Sequence, residues 1–164
     1  MPTTYEPIAT QTLGSAAATI TFSSIPATYT DLKFVLVPST GTADANVFMQ
    51  LNSDTGTNYS NTRLVGNGST ASSARQTNTS SILVGAITNT KNTFFSYDFF
   101  SYAGSTFKTI LIEQNEDLNG SGSVIRRVGL WRSTSAITSI FFDTFTTGGF
   151  PVGTTATLYG IKNA

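Results

Sequence analysis

The chain has 164 residues, nine basic and nine acidic side chains, and neither histidine nor cysteine. Those absences remove the commonest general base, the usual transition-metal ligands, the strongest nucleophile and any disulfide framework. Zero net charge gives no basic footprint for nucleic acid, and no apolar run approaches the roughly 20 residues of a spanning helix, so neither nucleic acid nor membrane is expected as a partner.

The length fits one domain over 1–164, with 12% aromatic residues to fill a core and oppose disorder. Met1-Pro2-Thr3-Thr4 is no basic start to an apolar leader, so no cleaved signal is expected. Strands are predicted over Thr4–Thr10, Ala17–Ser23, Thr30–Val37, Asn46–Leu51 and Thr62–Val65. Gly66–Thr79 is the longest polar stretch and reads as an exposed, mobile loop. Further strands are predicted over Ser80–Ile87, Thr93–Ser101, Phe107–Glu113, Ser123–Arg132, Thr138–Thr144 and Thr155–Ile161. Turn signals every 8–12 residues or so, with no apolar spacing near 3.6, predict an all-β antiparallel sandwich with few or no helices.

Alternation places Ile20 and Phe22 inward, and likewise Val47, Met49 and Leu51. Leu32–Val37 and Ile110–Ile112 are continuously apolar, as in strands covered on both faces by the fold or by a neighbouring subunit. Phe94-Phe95, Phe99-Phe100 and Phe141-Phe142 must each point to both sides of a strand. Either a loop covers the outer ring or an oligomer interface does. Asn119-Gly120 marks the clearest hairpin and sets Glu113 almost opposite Arg126; Gly148-Gly149 marks a turn before the last strand.

Candidate chemistry is sparse. No histidine can activate a serine, and none of Lys33, Lys91, Lys108 and Lys162 sits in a Ser-x-x-Lys context. Asp98, Glu113 and Asp143 are strand-borne carboxylates that could in principle cleave a glycosidic bond, with surface ion pairing as the simpler role. Asn52–Asn58 loosely resembles the start of a calcium loop but lacks its distal acid, so an Asx turn is the plainer reading. No catalytic residue, cofactor or metal site is expected. Arg126 and Arg127 point to opposite faces, so one of them needs a partner outside the hairpin. With Arg132, Glu116 and Asp117 they form the candidate interface. Tyr59, Tyr97 and Tyr102 are the candidate sugar-stacking aromatics of a glycan-binding alternative.

Several segments carry a resemblance that covers most of the chain in order, least in the Ser69–Thr106 middle. They are Tyr5–Thr10, Ile20–Pro26, Tyr29–Leu32, Leu51–Ser60, Gly66–Gly68, Gly129–Thr134, Ile137–Phe142, Gly153-Thr154 and Leu158–Ile161. Together they resemble small virion structural proteins of tailed bacteriophages, particularly of aquatic and cyanobacterial hosts. The resemblance implies a jelly-roll-like sandwich made in the host cytoplasm and displayed on the virion. Its role there would be as a capsid decoration (cement) protein, or as a tail or fibre receptor-binding module. Implied partners are other copies of itself, as a homotrimer, and the major capsid protein or other virion proteins.

Overall fold

A computed structural model describes residues 4–40, 44–90, 92–117, 119–145 and 149–162. Met1–Thr3, Lys91 and Gly148 of the expected Gly148-Gly149 turn therefore lie outside the described residues. The architecture is all-β, in two antiparallel sheets. The strands are β1 (Tyr5–Thr12), β2 (Thr19–Phe22), β3 (Asp31–Val37), β4 (Ala45–Leu51), β5 (Tyr59–Gly66) and β6 (Ala71–Thr79), then β7 (Ile82–Ile87), β8 (Thr93–Phe100), β9 (Lys108–Asp117), β10 (Gly122–Trp131), β11 (Ile140–Asp143) and β12 (Thr155–Ile161). The larger sheet has the order β1-β12-β3-β8-β9-β10-β5-β6 and the smaller β2-β11-β4-β7.

This order is a jelly roll with one strand tripled. If the meander β8-β9-β10 counts as one unit, β2, β3, β4, β5, β6, β7, that unit and β11 run as strands one to eight. The small sheet then reads first-eighth-third-sixth, and the large sheet second-seventh-fourth-fifth. Adding two strands preserves antiparallel parity, so β8 pairs with β3 and β10 with β5. β1 and β12 widen the same sheet beyond β3.

The core lies between the sheets and is built on alternation. Ile20 and Phe22 of β2, Val47, Met49 and Leu51 of β4, and Ile140 and Phe142 of β11 face Leu32, Phe34 and Leu36 of β3, Phe95, Tyr97 and Phe99 of β8, and Ile110 and Ile112 of β9. Phe34 stacks on Phe142 with centroids 4.6 Å apart and meets Phe22 and Tyr97 edge-on. The predicted strands correspond to eleven of these elements. The exception is β6, a strand where the sequence reads as loop. Ala71–Thr79 has no apolar alternation, but it pairs with β5 from Gly66↔Ala71 to Tyr59↔Thr79 and is exposed over almost all its length. Its pairing with β5, not burial, makes it a strand.

The expected Asn119-Gly120 hairpin joins β9 to β10, with Glu113 directly opposite Arg126. Asn119 and Gly120 both adopt positive φ, 48° and 126°, the conformations that this residue pair tolerates best.

Candidate functional site

The two sheets differ in width, and the surface features follow from that. Four strands cannot cover eight. On the inner side, one cross-strand row runs Leu158–Phe34–Tyr97–Ile112–Arg127–Arg63–Ala74. It is apolar where the small sheet covers it and turns basic beyond the last covering strand. β7 is the edge of the small sheet. Ile82 packs over Gly129 of β10, and Gln114 of β9 donates from Nε2 to the Ala86 carbonyl at 3.1 Å. Past β7, the strands β5 and β6 overhang.

Among the described residues, no further layer covers the outer face of the large sheet. One row there runs Tyr159–Lys33–Asp98–Leu111–Val128–Thr62–Arg75, and the next Thr157–Val35–Ser96–Glu113–Arg126–Leu64–Ser73. Seven of the ten large apolar side chains exposed among the described residues lie on this face: Tyr5, Val37, Leu64, Phe94, Phe100, Val124 and Val128. Leu64 (58%), Val124 (61%) and Val128 (49%) sit together around Arg126. The face also neutralises its own central charges. Lys33 Nζ lies 2.9 Å from Asp98 Oδ1, and Arg126 pairs with Glu113.

This arrangement resolves the paired phenylalanines. Phe95, Phe99 and Phe142 are buried, while Phe94 and Phe100 stand on the open outer face and Phe141 is half-buried on the outer side of the small sheet. Val35 and Leu111 likewise point to the outer face and are half-buried. The continuous apolar runs are thus covered by the fold on one side only.

The candidate interface residues do not form one patch. Arg126 is on the outer face, and Arg127 is turned inward and only 4% exposed. Arg132, beyond the far end of β10, donates from Nη2 to the Thr57 carbonyl and to Asn78 Oδ1. Glu116 and Asp117 lie at the opposite end of the hairpin. There Ser123 Oγ donates to Glu116 Oε1 at 2.9 Å, and the Asn119 N–H donates to Asp117 Oδ1 at 2.7 Å.

The sugar-stacking expectation is corrected. Tyr59, Tyr97 and Tyr102 are all fully buried, so no sugar ring reaches their faces. Tyr59 stacks near Trp131 and donates to the Leu51 and Asp54 carbonyls, and burial pushes its hydroxyl up to about 12. Tyr102 donates to the Pro26 carbonyl and accepts from the Tyr29 N–H. Sequence reasoning placed them by the polar residues around them; in fact backbone carbonyls satisfy the Tyr59 and Tyr102 hydroxyls within the core, while the Tyr97 hydroxyl is buried with no hydrogen-bond partner.

The three carboxylates do not converge. Asp98 and Glu113 are engaged with Lys33 and Arg126 on the large sheet. Asp143, on the small sheet, accepts the Phe145 N–H at 2.7 Å. In the Asn52–Asn58 loop, Asp54 accepts hydrogen bonds from Trp131 Nε1 (2.7 Å), Asn58 Nδ2 (2.9 Å) and the Gly56 N–H (2.8 Å). These hold its carboxyl below the usual carboxylate value, with Trp131 the largest cause and burial opposing it. Asn52, at φ 51°, accepts the N–H groups of Thr138 and Ser139. The loop is an Asx turn that ties β4 and β5 to the end of β10 and the segment before β11.

One feature escaped the sequence reading. Beneath the overhang, Asn61, Arg63, Ala74, Gln76, Leu83 and Arg127 line a cleft of about 160 Å³. Arg127 Nη1 donates to the Leu83 carbonyl at 3.4 Å, a long bond, and its Nε is buried with no hydrogen-bond partner. No ion pair among the described residues involves it. Alternation on β10 shows that Arg126 and Arg127 diverge; that the inward one meets a cleft instead of the covered core depends on where the small sheet ends, and the sequence does not state that. Comparison with family models, with curated proteins and with solved structures returned no match.

Proposed function

We propose that the chain is a non-catalytic contact module, a virion structural protein of the capsid-decoration type that works by association with copies of itself and with the shell. The observation that carries this reading is the uncovered outer face of the large sheet, where exposed valine, leucine and phenylalanine surround charges already paired with one another. Apolar surface grouped this way is typical of an association site. A face of eight strands about eight residues long spans roughly 34 by 27 Å, or about 900 Å². A standard interface uses about 800 Å² per partner, so the face is large enough for a stable contact.

Charge pairing within the face favours a second copy as occupant. A surface neutralised by Lys33–Asp98 and Arg126–Glu113 brings no repulsion when it meets its own kind. The virion assignment and the shell as further partner rest on the sequence resemblance, and the jelly-roll order is the sandwich that the resemblance implies. Immunogold labelling of intact particles tests the assignment. Label distributed over the head is the expected result; label confined to the tail would overturn the decoration role, and unlabelled particles would overturn the virion role.

A further inference from the structure

The cleft under β5 and β6 holds a buried arginine that no ion pair among the described residues neutralises. Arg127 is 4% exposed, its Nε has no acceptor, and the residue directly across the β10–β5 ladder is another cation, Arg63. Burial, and then Arg63, push its guanidinium down to about 10. A buried ion is normally paired, because removing it from water without a counter-charge is costly. All nine acidic side chains of the chain fall among the described residues, and none makes an ion pair with Arg127. Among the described residues, then, no ion pair supplies the missing charge.

We infer that this cleft binds a small carboxylate, with Arg127 and Arg63 as its cationic clamp. A guanidinium is a planar fork whose N–H groups match the two oxygens of a carboxylate. Asn61 Nδ2 donates to Gln76 Oε1 at 3.0 Å, which leaves the Gln76 amide hydrogens as further donors on the same wall. Ala74 and Leu83 supply the apolar remainder. A cleft of about 160 Å³ holds roughly five waters, enough for a carboxylate on a short carbon skeleton or at the edge of a sugar ring. A single charge suits the site better than a doubly charged phosphate, since only one of the two guanidiniums is buried and the apolar wall solvates no second charge. The ligand is either a free small acid or the acidic unit of a saccharide. This inference does not depend on the self-association reading, because the cleft lies on the inner side of the sheet.

The test is titration of the full-length chain, followed by backbone amide shifts of β5, β7 and β10, with acetate, glucuronate, glucose and sulfate as separate probes. The expected result is saturable shifts at Arg63, Leu83 and Arg127 with one or both carboxylates, and none with glucose. Glucuronate binding more tightly than acetate identifies an acidic sugar as the ligand; equal binding identifies a free acid. Two variants at exposed positions of the overhang keep the core intact. Arg63→Gln weakens carboxylate binding about tenfold through loss of one charge-assisted contact, and Ala74→Leu abolishes it by filling the cleft. Carboxylate shifts absent up to tens of millimolar, or unchanged in both variants, would overturn the site; tighter binding of sulfate would overturn the preference for a single charge.

Discussion

Replacing Asp54 by alanine tests whether the β4–β5 loop is a structural tie. Trp131 is almost completely buried, and its Nε1–H donates to Asp54 Oδ2 at 2.7 Å. Truncation leaves that indole N–H buried and unpaired, at a cost of about 1–3 kcal/mol. Loss of the contacts to the Gly56 N–H and to Asn58, which hold the turn, adds roughly 1 kcal/mol. The total of about 2–4 kcal/mol corresponds to a fall in Tm of about 6–12 °C for a chain of this size. Urea denaturation followed by tryptophan fluorescence reads it directly, since Trp131 is the one tryptophan. Asp54→Asn keeps an acceptor and loses less.

The same contacts set a pH signature. The Asp54 carboxyl is depressed in the folded chain, so its contribution is fully present above the unfolded value and is lost as pH falls through the folded one. Wild type therefore loses more stability than Asp54→Asn on acidification below about pH 4. A loss under about 0.5 kcal/mol for Asp54→Ala, or identical acid profiles for wild type and Asp54→Asn, would refute the reasoning.

Two other predictions concern packing and titration. In Gly160→Ala the new methyl would lie 2.3 Å from the Tyr29 ring, which covers that glycine while Tyr29 Oη donates to Glu6; a destabilisation of about 1–3 kcal/mol by urea melt is expected, and a neutral result would show that Tyr29 moves freely aside. With no histidine in the chain, and with Lys33–Asp98 and Glu113–Arg126 the central charges of the outer face, self-association measured by light scattering should be nearly flat from pH 5.5 to 8; a sharp transition in that range would mean that a carboxylate on the face is strongly perturbed.

Alternation in Thr19–Phe22 and Asn46–Leu51 and the Asn119-Gly120 turn made most of the fold legible, because each strand has to solve a local problem of sidedness. β6 was not legible, since serine, alanine, glutamine and threonine carry no such signal and the strand exists through its pairing with β5. The fate of Tyr59, Tyr97 and Tyr102 was hidden for a related reason. A tyrosine is a core residue where the fold covers it, and the covering groups can come from a distant part of the chain, as the Pro26 carbonyl does for Tyr102. The divergence of Arg126 and Arg127 could be read from the strand period. The cleft that receives Arg127 could not, because it arises from the unequal widths of the two sheets.

The central claim is that the outer face of the large sheet is an association surface, and sedimentation velocity of the wild type beside a Leu64→Glu/Val128→Glu double variant tests it most directly. Both positions are exposed, so the variant should keep its circular dichroism and Tm. Buried in a contact, the two new charges would be unpaired and cost several kcal/mol, enough to dissociate it. The account predicts a wild-type oligomer at micromolar concentration and a monomeric variant. A wild type that stays monomeric at about 100 µM, or a variant that assembles as the wild type does, would contradict it.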